Sequence, residues 1–470
     1  MEILHVALEL APFTRSSPAA EAIGGLTKAQ KLLGHDVTVI VPRRPEYELS
    51  GLHPARRLTP LPLSQGAQAH VYEAQLPSGL RLELVAAPEL SLPVSVEPLD
   101  AARAGSVRLF AEAVTALWRE RLAQGRPVDV VHFHDAEAAL AVLGMAPTAP
   151  ADLVTLLSVH DARRAGICPL ELRETLGIPA DLVGAQAFGH GSELCLLKGL
   201  LGRVSRVLTP SPAYATGLGT PERHGALARA FQAAEPVGIA DGIDLAVFNP
   251  ATDPSLVARY DAASPGPKGM NKSDLQARLE LEVAPGRPLI ALLPSPAGEG
   301  GLRAVLGALP QIVRMDAQII LCAPALGEEE DRARLAALGP EVRVITELDQ
   351  AELRRVLAGV DFVLSVAEHD PAATSLKQAA RYGAVPIALS VDGATDAIVD
   401  CDPESRTGTG FLLDAISQRS VAGAVGRAVT AYGSPAFREL VKRAMRQDLG
   451  WDRPARQVLR LAQRLRASLV

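Results

Sequence analysis

Aromatic residues are scarce. Phe, Trp and Tyr make up 4% of the 470 residues, against 48% hydrophobic residues overall. Aliphatic side chains and alanine must therefore fill the cores, and the chain is too apolar to be disordered by composition. The four cysteines, Cys168, Cys195, Cys322 and Cys401, are scattered without a CxxC pair, which argues against a disulfide framework or a cysteine-based zinc site. No run of about 20 apolar residues is present, so no membrane span is expected. The opening MEILHVALELAP lacks the basic start and apolar stretch of a secretion signal, and a cytoplasmic protein is expected. There is no long basic run and the net charge is −6, which weighs against a nucleic-acid binder. At this length one ordinary core is exceeded and two domains are the default.

Hydrophobic periodicity supplies the organisation. Ile3 to Leu8 reads as a strand, Ala11 to Pro18 as a loop, Ala19 to Leu33 as a helix stopped by Gly34, and Val37 to Val41 as the next strand. That is the start of a doubly wound fold. Residues 45–100 read as short irregular strands and loops. Ala102 to Ala123 reads as a helix, Val128 to Phe133 and Leu153 to Val159 as strands, and residues 193–202 as helical. A second block follows Pro250. Asn271 to Leu281 is a helix and Pro288 to Pro294 a strand. Ala297 to Gly301 is a glycine-rich loop and Leu302 to Val313 a helix. Gln318 to Cys322 is a strand, Glu328 to Leu338 a helix and Val342 to Ile345 a strand. In Asp361 to Asp400 a strand, a polar loop, a helix from Thr374 or Ser375, a strand and a second loop with Asp392 and Gly393 succeed one another. In such sheets ligands bind at the carboxyl ends of the strands. The expected fold class is α/β, with a boundary near 240–255.

The polar residues cluster at strand ends. His132-Phe133-His134-Asp135-Ala136-Glu137 ends one strand, and Ser158-Val159-His160-Asp161 ends the next. Alternation places His132 and His134 on one face, a beginning of a metal site that lacks a third ligand. A histidine satisfied by hydrogen bonds at a strand end is the reading we favour for His132, and no metal or cofactor is expected. Further along come Lys198 in a helix, Ser211-Pro212 with Tyr214, Asp241-Gly242-Ile243-Asp244 with Phe248 and Pro250, and Asn271-Lys272. The second domain adds Pro371, Tyr382-Gly383, Pro386, Gly393 and Asp396.

These motifs run in register along nearly the whole chain with those of the bacterial glycogen synthases and plant starch synthases, which the sequence resembles. The resemblance implies the GT-B architecture, two doubly wound, Rossmann-like domains facing a cleft. It implies a starch-synthase-like acceptor-side domain over 1–245 and a nucleotide-sugar-side domain over 246–450, with a C-terminal helix over 451–470 that packs back on the first domain. The family's reaction is metal-free, retaining transfer of glucose from ADP-glucose to the non-reducing end of an α-1,4-glucan. The implied partners are ADP-glucose or another nucleotide sugar, an α-glucan and a partner glycogen enzyme, with neither nucleic acid nor membrane. By motif match His160, Asp135 and Asp370 are the catalytic candidates. Arg15, Glu21, Gly298, Ser375 and Gly393 are the donor-binding candidates.

The departures from the family converge on one substrate group. Its Lys-Thr-Gly-Gly-Leu-Ala-Asp becomes Arg15-Ser16-Ser17-Pro18-Ala19-Ala20-Glu21. Both glycines are lost, and proline brings no amide hydrogen. Ala136 and Glu137 replace a tryptophan and a histidine. Where the family places an arginine and a lysine against the donor diphosphate, this chain has Ser295 and Gly300, with Glu299 beside them. Removing one such donor typically costs about 2.7–4 kcal/mol of barrier. Asp370 stands for a glutamate, Ala372 and Ala373 for Cys-Gly, and Asp392 for the first glycine of a pair whose second, Gly393, can offer an amide. The segment from Gly298 to Gly301 offers amides at a helix start but has no GxGxxG or GxxxxGK pattern. Impaired or lost catalysis in a glucan-binding or regulatory homologue is the leading expectation. An active glucosyltransferase with an altered donor site, and one using a donor without a diphosphate, are the alternatives.

Overall fold

The computed structural model describes residues 1–90, 92–93, 95–294, 299–322, 339–401 and 407–469. The chain divides into two compact units, Met1–Gly242 with Trp451–Val470, and Ile243–Gly450. Ser295, Gly298 and the expected helix over Glu328 to Leu338 lie outside the described residues.

In the N-terminal unit the main sheet has, from edge to edge, Val237–Gly238, Arg206–Thr209, Val154–Ser158, Val130–His134, Glu2–Val6, Asp36–Pro42, Arg81–Ala86, Gln68–Gln75 and Ala55–Arg56. The first seven pair in parallel and the last pairings are antiparallel. The parallel strands are continuous apolar runs because both faces are covered: Val37, Val39, Ile40 and Val41 are each fully buried. From Glu2–Val6 the chain builds the sheet first on one side, through Asp36–Pro42, and later on the other, through Val130–His134. The reversal lies between those two neighbours, the place where doubly wound sheets bind ligands.

The helix Pro18–Leu32 starts where the sequence indicates it should. Ser17 caps it, accepting the Ala19 amide at 3.2 Å, and Pro18 takes the first position, where a missing N–H costs nothing. The final helix, Asp452–Leu469, packs in this same unit. A Cβ on Gly25 would lie 2.0 Å from Trp451 Nε1, so only glycine lets the indole seat against the first helix. Residues 193–202 correct the sequence reading. Glu193–Cys195 is a strand of a small antiparallel sheet, and only Leu196–Leu201 is helical. Leu194 and Cys195 are fully buried against that sheet, and tertiary packing overrides local helical pattern there.

The C-terminal unit is a six-stranded, all-parallel sheet ordered Val342–Ile345, Gln318–Cys322, Leu289–Leu292, Phe362–Ser365, Val385–Leu389 and Phe411–Leu413. Its reversal lies between Leu289–Leu292 and Phe362–Ser365. The helix after the first of these begins at Glu299, earlier than the glycine pattern suggests. Gly301 permits a tight approach there, since a Cβ would lie 2.5 Å from the Val366 carbonyl oxygen. No described helix is long and apolar enough to cross a membrane.

Candidate active site

Each reversal carries a polar cluster. In the N-terminal unit parallel pairing sets His5 beside His132, and alternation brings His134 to the same face. The His132 and His134 rings stack with centroids 4.4 Å apart, and the His5 ring lies tilted beside His132 at 5.0 Å. Hydrogen bonds knit them together. His5 Nε2 meets Gln30 Oε1 at 2.7 Å, His5 Nδ1 meets His134 Nε2 at 2.9 Å, and His134 Nδ1 meets His160 Nε2 at 3.0 Å. His132 Nε2 meets Ser158 Oγ at 2.8 Å. Burial drives all four rings toward the neutral form: His5 is pushed down to about 4, His132 and His134 well below the usual range, and His160 downward.

Nitrogens of His5, His132 and His134 lie within 4.8 Å of one another. His5 thus supplies the third ligand that the sequence motif lacked, and imidazole suits zinc. Here His5 Nδ1 and His134 Nε2 are hydrogen-bonded directly to each other.

The structure brings Asp135 and His160, two of the catalytic candidates, together. Asp135 follows its strand at φ 62°, a left-handed conformation that aspartate tolerates better than most residues. Its carboxylate accepts the His160 amide at 2.8 Å and pairs with Arg164 at 2.9 Å. Arg164 also lies 3.6 Å from Glu9. Glu9, only 2% exposed, accepts from the Ser17 hydroxyl and from the Ser17 amide at 3.2 Å, and burial pushes its carboxyl upward. Arg15 is in an ion pair with Glu21 at 3.5 Å. Glu137 binds Arg103, burial raising its carboxyl to about 7. Lys198 donates to the Gly189 carbonyl oxygen, a packing role.

In the C-terminal unit Asp370, Asp392 and Gly393 converge. Asp392 opens a helix, Asp392–Ala397, rather than sitting in a loop, and has φ 44°. Its Oδ2 accepts the Asp370 amide at 3.2 Å and lies 3.2 Å from His369 Nδ1. Asp370 Oδ1 accepts the Ala373 amide at 2.9 Å, and burial raises its carboxyl to about 6, opposed by Lys377 and His369. The expected free amide of Gly393 is not free: it donates to the Asp370 carbonyl oxygen at 3.0 Å. A Cβ there would lie 2.6 Å from the Pro371 carbonyl oxygen, so the glycine serves backbone packing. Ser375 is exposed on the helix Thr374–Arg381.

Sequence reasoning missed His5, Gln30, Glu9, Arg164, His369 and Lys377. A polar residue in the middle of an apolar strand, as His5 is, was the one available signal.

The family model for the starch synthase catalytic domain matches residues 2–233. The solved catalytic domain of starch synthase IV from Arabidopsis thaliana, bound to ADP and acarbose, is 22% identical and superposes with a TM-score of 0.87 over 99% of both chains. The fold class is accordingly GT-B. A glycogen synthase of an Anaeromyxobacter species is 30% identical over 97% of each chain. That of Paramagnetospirillum magneticum is 30% identical over 97% of this chain and 96% of its own. With such identity over nearly the whole length of both proteins, this chain belongs to the glycogen synthase family.

Proposed function

We propose that this protein is a glycogen synthase homologue that engages α-glucan while transferring glucose from ADP-glucose weakly or not at all. One observation carries the reading. At the reversal of the C-terminal unit the protein's own carboxylate, Asp392, already takes up the Asp370 amide and faces His369. The Gly393 amide is spent on Asp370 as well. A donor diphosphate brought to this loop would meet two carboxylates and few free donors. The transition state of a metal-free nucleoside diphosphate departure depends on such donors. Ser295 and Gly300, standing for the family's arginine and lysine, supply no replacement charge. On the sugar side, Asp135 and His160 are retained and held together. Arg15 and Glu21 keep the charges of their family counterparts but pair with each other. The reading carries with it a cytoplasmic location and a partner glycogen enzyme.

His369 and Lys377 favour the second reading, an active glucosyltransferase with an altered donor site. Lys377 is a positive neighbour of Asp370, as is His369 when protonated, and both would pair with a phosphate in place of the lost cations.

Calorimetry with ADP-glucose, ADP and acarbose, followed by a transfer assay, separates the two. The proposal expects heat from acarbose and none from either nucleotide at millimolar concentration. Micromolar binding of both nucleotides, with transfer abolished by His160→Ala and Asp370→Ala, would sink it in favour of the active enzyme.

A further inference from the structure

We infer that Gln30, His5 and His134 are positioning residues that fix the tautomer of His160 through a buried column of hydrogen bonds. The inference rests on the reading of His160 as a sugar-side group. Three contacts make the column: Gln30 Oε1 to His5 Nε2 at 2.7 Å, His5 Nδ1 to His134 Nε2 at 2.9 Å, and His134 Nδ1 to His160 Nε2 at 3.0 Å. A neutral imidazole has one N–H and one lone pair, and each contact needs one of each. The amide oxygen of Gln30 can only accept, so His5 carries its proton on Nε2. Its Nδ1 is then a lone pair, which requires the proton of His134 on Nε2. The same step repeated puts the proton of His160 on Nε2.

Only this assignment satisfies all three contacts with neutral rings. His5 and Gln30 are 0% and 1% exposed and His134 is 2% exposed, so water cannot relieve a mismatched pair. A buried unmatched donor or acceptor is costly. The remaining ring nitrogen of His160, Nδ1, makes no hydrogen bond among the described residues, and the column leaves it a lone pair. It therefore presents an acceptor and selects a hydroxyl-bearing ligand such as a hexose over an anionic oxygen. Gln30, on the helix Pro18–Leu32, sets the chemistry of a residue two strands away.

The test is imidazole nitrogen NMR on the full-length protein with labelled histidine, with His160 assigned by its loss in His160→Gln. The expected spectrum has His5, His134 and His160 each protonated on Nε2. Couplings should cross the hydrogen bonds from His134 Nε2 to His5 Nδ1 and from His160 Nε2 to His134 Nδ1. In Gln30→Met both column directions become available, and a second, Nδ1-protonated form of His160 should appear. Gln30→Glu, which restores an acceptor, should return a single form. His160 protonated on Nδ1 in the unaltered protein, or absence of both couplings, overturns the inference even if the variants do not fold. A merely structural Gln30 would lower stability without changing the tautomer of His160, which also overturns it. Nucleotide binding and transfer do not enter this readout, so failure of the functional proposal and failure of the column are seen separately.

Discussion

The two units use the same sheet reversal and fill it with opposite chemistry. In the N-terminal unit the reversal holds four clustered histidines driven toward the neutral form by burial, three of them joined ring to ring by hydrogen bonds. In the C-terminal unit it holds two carboxylates, Asp370 and Asp392, bonded to the loop's own backbone. One reversal ends in a histidine ring; the other ends in a pair of acids. A shared fold thus places a crevice, and only the side chains lining it decide whether that crevice accepts a hydroxyl or a phosphate.

Acid should separate the units most strongly. Buried His5 has its pKa lowered from 6.5 to about 4, and His132, His134 and His160 are lowered by the same burial. Below pH 6.5 the unfolded chain binds protons that the folded unit refuses. The stability these rings contribute is complete above 6.5 and drains away toward pH 4. His5 alone accounts for about 3 kcal/mol, with Glu9 and Glu137, whose carboxyls are raised, offsetting part of the total. Asp370 runs the other way. Its carboxyl is raised from 3.8 to about 6, so the folded unit binds the extra proton in that window and gains stability as pH falls. Its partial exposure limits the gain to about 1–2 kcal/mol. Urea unfolding at pH 7 and pH 5, followed by hydrogen exchange in each unit, should show the N-terminal midpoint falling and the C-terminal one rising. Shifts in the same direction would break the contrast.

Gly25→Ala sharpens it at neutral pH. Alanine is the better helix former by about 1 kcal/mol, yet its methyl would overlap Trp451. The net expected loss is roughly 2 kcal/mol, typical of overpacking, and confined to the N-terminal unit in the same exchange experiment. Asp392→Gly addresses the other crevice. Glycine adopts the φ of 44° without strain, and the acid is gone. Calorimetry should show heat from ADP at millimolar concentration where the unaltered protein gives none, a gain of at least about tenfold, or 1.4 kcal/mol; continued absence of heat would mean that Asp392 does not guard the site. Ser17→Ala, the smallest effect, removes a helix cap and a donor to Glu9 and should cost about 1 kcal/mol in thermal unfolding.

The sequence was most legible where strands are buried on both faces. Val385–Leu389 was read to the residue, because a continuous apolar run closed by turn residues has few alternatives. The hairpin of Gln68–Gln75 and Arg81–Ala86 falls in a stretch legible only as short irregular strands and loops. Its first strand alternates buried Ala69 and Val71 with polar residues, a weaker pattern than a buried run. At the site, Asp135 and His160 were legible as residues at strand ends, and the contact between them comes from the pairing of those strands. The histidine column did not, because the register between distant strands, and a glutamine on a helix, create it. The loss of the Gly393 amide was equally hidden, since it depends on a backbone contact with Asp370 that no spacing encodes.

Trp451 beneath Gly25 has a consequence for how the protein is made. The N-terminal unit takes its last helix from the far end of the chain. A ribosome working at about 5–20 residues per second must first deliver the whole stretch from Ile243 to Gly450, a wait on the order of tens of seconds. Through that interval the face of the first helix beside Gly25 is uncovered, whereas the C-terminal unit is built from one contiguous stretch. The N-terminal unit is thus completed only after the whole C-terminal unit has been made, and chaperone binding to nascent chains should centre on the first helix until Trp451 emerges.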